Sequence, residues 1–290
     1  MDIDKLVHNE FARNIGIISE TEQRCLLQSR VAVAGAGGVG GLHILTLARL
    51  GIGNFTIADA DTFEPVNVNR QFGAMLSTIG RNKAEVLAEM VKDINPQADV
   101  RTFPASIVKE NIDPFLEDVD IFIDGVDFFE IDARRMIFKR CRDRGIFALT
   151  AAPLGFGATL QAFSPKGMSF DDYFGITDDM DFMEKIAAFA SGLAPNPYHI
   201  RYLDLSKISL AKKSGPALSL ACTLAASLIA VKVVKILTGK GKVQTVPHYQ
   251  QIDLLRGKYK RGYLLLGGNN PIQRLKKTII LKKARAGITS

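Results

Sequence analysis

Three features of the chain predict an α/β fold: a mostly parallel sheet with helices on both faces, continued by antiparallel strands, in a single domain. A short apolar run rich in β-branched residues, Arg30-Val31-Ala32-Val33-Ala34, reads as a buried strand. A glycine-rich turn follows, Gly35-Ala36-Gly37-Gly38-Val39-Gly40-Gly41, and then the apolar helical pattern Leu42 to Leu50. Further along, strand-like and helix-like runs alternate at the pace of βαβ units.

The glycines form G-x-G-x-x-G between a strand and a helix, the context in which this pattern has a mechanism. Gly35 would make the tight turn, Gly37 would let backbone approach a phosphate, and Gly40 would let helix and strand pack closely. The helix N-terminus, with its unpaired N–H groups, favours an anion there. Gly38 belongs to the same loop. The unit is therefore Rossmann-like. Asp59 comes 19 residues after Gly40, at the end of the strand pattern Phe55-Thr56-Ile57-Ala58. A carboxylate so placed can reach a ribose hydroxyl.

The other elements follow in order. Ser19 is a plausible N-cap for a helix opening at Glu20-Thr21-Glu22. Val86, Leu87, Met90, Val91 and Ile94 have helical spacing, and Asn95-Pro96 stops that helix. Asp99 to Phe103 reads as a strand. Val119 to Asp124 is nearly continuous in apolar residues, as a buried parallel strand is. It ends in Gly125-Val126-Asp127. Gly37, Asp59 and Asp127 are expected together at the carboxyl edge of the sheet, where such folds bind ligands. Ile146–Ala151 and Ala158–Phe163 read as strands, and Asp181–Ala190 as a helix. Ala217 to Val231 is an apolar helix too short to span a bilayer comfortably, with Ser219, Thr223 and Ser227 as a polar stripe. It belongs in a core or at a dimer interface. Gln250–Leu255 and Tyr259–Leu266 are late strands, with a hairpin around Arg256-Gly257-Lys258.

Beyond Asp59 the chain supplies Asp61, then Asn67-Val68-Asn69-Arg70-Gln71, then Gly80-Arg81-Asn82-Lys83. A dehydrogenase has no need for this polar and cationic set; a triphosphate does. Glycine loop, D-x-D, N-x-N-R-Q and G-x-x-K in this order resemble the ThiF/MoeB adenylation family, which is similar to ubiquitin-activating enzymes. The resemblance runs from about residue 13 to 255 and is weak over 165–215. It implies ATP and Mg²⁺ as cofactors and adenylation of a carboxylate. Asn67, Arg70 and Lys83 would hold phosphates, with Asp61, Asn69 and Gln71 in the same nucleotide site, and Asp127 would hold the metal. The alternative for Asp127 is a helix N-cap. The spacer from Asp127 to Arg134 is slightly longer than the family's, which leaves the role of Arg134 open. Arg13 best matches an arginine that reaches the other subunit's triphosphate, so a homodimer is implied; the alternative is a surface arginine.

In the family, the region matching 165–215 is a crossover loop that often carries a nucleophilic cysteine and zinc-binding cysteines. Here no cysteine lies between 142 and 221. Cys25, Cys141 and Cys222 cannot make a four-cysteine zinc site. The expectation is an enzyme without its own catalytic cysteine and without zinc. The three thiols form no disulfide framework and suit a reducing cytoplasm, and Met1 to Lys5 shows no signal-peptide pattern.

The formal net charge is +7, yet ten basic residues and no acidic ones lie from Arg256 onward, so the first 255 residues sum to −3. The basicity is local, which confines any nucleic-acid partner to that C-terminal stretch; the plainer reading is a solvated face. The expected organisation is a helical segment over 1–29, an adenylation domain over 30–255 and a basic extension over 256–290. His43 reads as a half-buried helix residue.

The carboxylate would be the C-terminus of a ubiquitin-like carrier protein, or a peptide. Three rivals stay open. One is a tRNA threonylcarbamoyladenosine dehydratase, which the segment 68–95 resembles and the crossover region does not. The second is an NAD(P) oxidoreductase, against which Asn67, Arg70 and Lys83 speak. The third is a non-catalytic partner subunit, which commonly loses the Arg, Lys or Asp kept here.

Overall fold

Alternation along β1 (Arg30–Ala34) sorts the two halves of the core. In the computed structural model, which describes residues 2–209 and 213–286, Val31 and Val33 face one apolar layer while Ala32 and Ala34 face the other. Side chains two apart share a face of a strand, so one short run serves both layers.

The chain opens with α1 (Ile3–His8) and α2 (Glu20–Gln28), the latter started by Ser19 in a capping box with Glu22. After β1 come α3 (Gly38–Leu50), β2 (Asn54–Ala58), α4 (Lys83–Ile94) and β3 (Asp99–Phe103). Then follow α5 (Ile112–Phe115), β4 (Ile121–Asp124), α6 (Ile131–Asp143), β5 (Phe147–Leu154) and β6 (Gly157–Phe163). The chain ends with α7 (Phe170–Phe174), α8 (Phe182–Leu193), α9 (Ser219–Thr238), β7 (His248–Asp253), β8 (Lys258–Tyr263) and α10 (Pro271–Ala286).

The strands form one eight-stranded sheet in the order β3-β2-β1-β4-β5-β6-β7-β8. The first five are parallel and the last three antiparallel. On one face α3, α4 and α9 bury Ile44, Leu47, Leu87, Ile229 and Val233 against the sheet. On the other, α5 to α8 bury Phe115, Phe138, Phe170, Phe174 and Phe189. The strand order turns back between β1 and β4, which opens a crevice at the carboxyl ends of those strands.

Three expectations change here. The segment 165–215 contains α7 and α8, whose Tyr173, Phe174 and Phe189 are fully buried, so much of it is core. The late hairpin falls where it was expected, β8 pairing with β7 along its length, and the unanticipated α10 packs on α8, with Lys276 Nζ donating to Pro195 O at 2.6 Å. His43 is fully buried rather than half-buried. The apolar helix is longer than expected. Among the described residues α9 alone has the length and hydropathy to cross a membrane, but it packs on β5, β6 and α3 of its own chain.

Candidate active site

Close backbone approach dictates the glycines. Gly35 has φ +86°, which L side chains rarely adopt, and a Cβ there would lie 2.0 Å from Gly125 O. A Cβ on Gly40 would lie 1.7 Å from Gly35 O. The turn after β1, the first turn of α3 and the turn after β4 therefore interlock through three glycines. Gly125 was not singled out in the sequence; its position directly after a buried strand was the available signal. Gly37 and Gly38 are less tightly enclosed, and their neighbours are side chains of the site. Around the Cβ position of Gly37 the nearest atoms belong to Gln71, at 3.6 Å or more. At Gly38 they are Cys222 Sγ at 3.3 Å and Arg70 Cγ at 3.4 Å.

Asp59 lies one residue past β2. Its Oδ2 accepts from Ala36 N at 2.6 Å and its Oδ1 from Asp61 N at 2.8 Å. Burial pushes its carboxyl up, and the two backbone donors pull it down. The carboxylate thus braces the glycine loop as well as facing the crevice. Asn82 caps α4 and ties the carbonyls of Asp59 and Asp61 to it at 3.0 and 3.2 Å. Lys83, 7% exposed, opens α4 and donates to Asp61 Oδ2 at 2.9 Å. One of its three ammonium donors is so used.

The N-x-N-R-Q run starts on the last residue of a short 3-10 turn, Pro65–Asn67, and forms its exit. Asn67 Oδ1 accepts from Glu64 N at 3.1 Å, bracing that turn. Asn69 reaches across to Ala217 O at 3.1 Å, joining this loop to the segment before α9. Arg70 donates to Val66 O and to Asn69 Oδ1 at 3.2 and 3.0 Å. Gln71 is buried against Gly37, and its Oε1 has no hydrogen-bond partner among the described residues. A buried acceptor without a donor is costly, so this cradle suits a ligand that brings one.

Asp127 is exposed, two residues past Gly125. Its Oδ1 accepts from Phe129 N at 2.9 Å, and no partner engages Oδ2 among the described residues. It is not a helix cap: α6 starts at Ile131 after Glu130. Mg²⁺ is usually held by one or two carboxylates plus substrate phosphates, so a single open carboxylate oxygen here fits it. Among the described residues there is no cluster of three His, Cys, Asp or Glu that would form a metal site by itself.

Arg134 is held by buried contacts. It is 3% exposed, its Nε donates to Asp124 Oδ2 at 2.7 Å, and its guanidinium lies 4.6 Å from the Phe189 ring centre. It ties the end of β4 to α6 and α8 and, through Nη2 donating to Val126 O at 2.5 Å, to the turn before Asp127, while Nη1 has no partner among the described residues. Arg13 sits in a short 3-10 turn beside Asn14, which donates to Leu50 O at the far end of α3. A helix of 13 residues separates it from the glycine loop, about 20 Å. Within one chain it does not join the site.

Two of the three cysteines lie away from the glycine loop, and the third is buried beneath it. Cys141 is buried in α6 and pushed up well beyond its usual range. Cys222 was expected in the core. It is there, but directly beneath Gly38, and burial pushes its thiol up to about 11. Cys25 donates to Leu237 O on the far side. A separate cavity of about 680 Å³ lies between α6 and the loop after β6, lined by Arg135, Phe138, Arg142 and Phe163, and does not reach the glycine loop.

The ThiF family matches residues 11–266. The chain belongs to the ThiF family. It is 34% identical over 139 residues to a tRNA threonylcarbamoyladenosine dehydratase of Bacillus subtilis, covering 48% of this chain and 54% of that protein. It is 30% identical over 169 residues to the SAMP-activating enzyme E1 of Haloferax volcanii, covering 58% of this chain and 62% of that protein. The match spans roughly half to three fifths of these relatives' length. In fold, it superposes on E. coli MccB with ATP at a TM-score of 0.66 and 20% identity, over 91% of this chain and 72% of that one. It superposes on the E. coli dehydratase TcdA at 0.62 and 20% identity, over 83% of this chain and 98% of that one.

Proposed function

We propose that this ThiF-family chain is an ATP- and Mg²⁺-dependent adenylyltransferase that activates a carboxylate as an acyl-adenylate. The observation that carries the reading is the convergence of Asp59, Arg70, Gln71, Asp61–Lys83 and Asp127 around one glycine loop at the point where strand order reverses. A carboxylate oxygen attacks the α-phosphorus, the new bond is the acyl–phosphate anhydride, and the bond to pyrophosphate breaks. Charge grows on the α-phosphoryl oxygens and on the leaving group. Arg70 and Lys83 neutralise it, and the amides at the start of α3 face it. Gln71 and the space at Gly37 receive the nucleotide, and Asp59 holds the loop and the ribose. Asp61 aims Lys83, while Asn67 and Asn69 hold the turn that carries Arg70. Asp127 would hold Mg²⁺, which when bound neutralises phosphate oxygens.

The substrate we favour is the C-terminus of a ubiquitin-like carrier or a peptide, consistent with an E1 enzyme among the relatives. The reading includes no covalent step on this chain, because Cys222 is buried and protonated at neutral pH and Cys25 and Cys141 lie elsewhere. It also takes the protein as a cytoplasmic homodimer. Val66, Val68, Phe72, Met75 and Leu76 form an exposed apolar run next to Arg70, with Leu76 96% exposed. Such a patch suits a second copy, which would bring Arg13 to the site. The dehydratase reading stands second, on the sequence identity to that enzyme; it shares the activation step. ATP–pyrophosphate exchange tests the proposal. Exchange that depends on a carrier or peptide carboxylate and is lost without Mg²⁺ supports it. Exchange stimulated only by threonylcarbamoyladenosine-bearing tRNA favours the second reading.

A further inference from the structure

A second concave site lies at the other end of α9. Lys232, Lys235, Lys242 and Arg261, with Gln244 and Gln250, line a pocket of about 230 Å³. The topology creates it. The C-terminal half of α9 packs over β6, Gln250 and Arg261 are direct partners across β7 and β8, and the loop after α9 returns Lys242 and Gln244 to the rim. Ten residues of α9, about 15 Å, separate Lys232 from Cys222 beneath the glycine loop. The pocket is thus distinct from the proposed nucleotide site.

Its charge is uncompensated. No acidic residue lines it, and none of the four cations is ion-paired with a carboxylate among the described residues. Lys240, one turn of loop away, does have such a partner in Glu22. Lys232 is only 6% exposed. Its Nζ donates to Gln244 O at 2.9 Å, which satisfies one of three donors. Burial, with Lys235 and Arg261 nearby, pushes its ammonium down to about 8. An edge strand often carries cations to prevent edge pairing, and that accounts for exposed Lys258 and Lys260. It does not account for a buried lysine facing three other cations, an arrangement that repels itself unless an anion sits between them.

We infer that this pocket is a binding site for a phosphate group, either of a small polyphosphate or of a nucleic-acid backbone. Guanidinium and ammonium donors converging on a small polar hollow match the oxygens of one or two phosphates. The inference does not depend on the proposed adenylation.

Calorimetric titration of inorganic tripolyphosphate at ~0.15 M salt tests it, using the full chain carrying Arg70→Ala and Lys83→Ala to disable the nucleotide site. Binding is expected to persist in that background and to weaken about tenfold or more on adding Lys232→Met or, separately, Arg261→Gln. Arg261 is exposed, so its variant guards against a folding defect at Lys232. A single-stranded RNA of about twelve nucleotides is titrated in parallel. RNA binding that falls with Lys232→Met assigns the site to a backbone phosphate; RNA indifferent to it assigns the site to the free polyphosphate. Failure of both probes to bind, or binding unmoved by both substitutions, overturns the inference.

Discussion

Arg70 and Lys83 differ in how their charge is held, and that sets what each substitution does. Among the described residues Arg70 hydrogen-bonds only Asn69 and Val66, near the surface, whereas Lys83 is buried and paired with Asp61. Removing either is expected to slow ATP–pyrophosphate exchange by about 10²–10³-fold, the scale of one lost transition-state donor. A change under about threefold in both would make them structural. His43 offers a test of stability instead. It is fully buried, neither ring nitrogen has a partner among the described residues, and burial pushes it down to about 3. Below the unfolded pKa of about 6.5 the unfolded chain takes up a proton that the native state refuses, so stability falls as pH falls. The slope due to this one residue is roughly 1.4 kcal/mol per pH unit between about 6.5 and 3. Urea unfolding at pH 7 and pH 5 should show it, and His43→Leu should remove it. An unchanged slope in that variant would show that the imidazole is protonated or solvated in the folded protein.

At the scale of elements, the junction of β4, α6 and α8 rests on the buried pair Arg134–Asp124. Arg134→Met strands a carboxylate that is 1% exposed, which should cost about 3–5 kcal/mol in chemical denaturation. If stability is unchanged and only ATP affinity falls, Arg134 is a nucleotide ligand after all. This residue also marks the limit of what the sequence discloses. The strands β1 to β8 and the helices α3, α4, α8 and α9 were legible from periodicity and breakers, to within a few residues at the ends of most and seven at the C-terminal end of α9. Local pattern encodes these elements, and the glycine loop has one geometry. The destination of Arg134 was not legible, because a long side chain near a site reads the same whether it turns inward or outward. In the tail the hairpin of β7 and β8 was legible, but the basic composition hid α10, whose packing on α8 no local pattern announces. The stripe Ser219, Thr223, Ser227 was visible, but not its outcome: Thr223 and Ser227 spend their hydroxyls on the carbonyls four residues back.

For the whole molecule, the account needs two copies and no thiol. Light scattering should give a dimer at micromolar concentration, and Leu76→Asp should split it, since that side chain is almost wholly exposed in one chain. Mixing Arg13→Ala with Asp127→Ala subunits should restore part of the activity, because one hybrid site is then intact; no restoration would confine Arg13 to the surface. Changing Cys25 and Cys141 to Ser and Cys222 to Ala should leave exchange in place. A reducible adduct mapped to one of the three would refute the cysteine-free route. The central claim is that the glycine loop takes ATP rather than a dinucleotide, and calorimetry with ATP and Mg²⁺ against NAD tests it most directly. The account predicts ATP binding that weakens in Arg70→Ala and Asp127→Ala and no competition by NAD; micromolar NAD affinity with no ATP binding would contradict it.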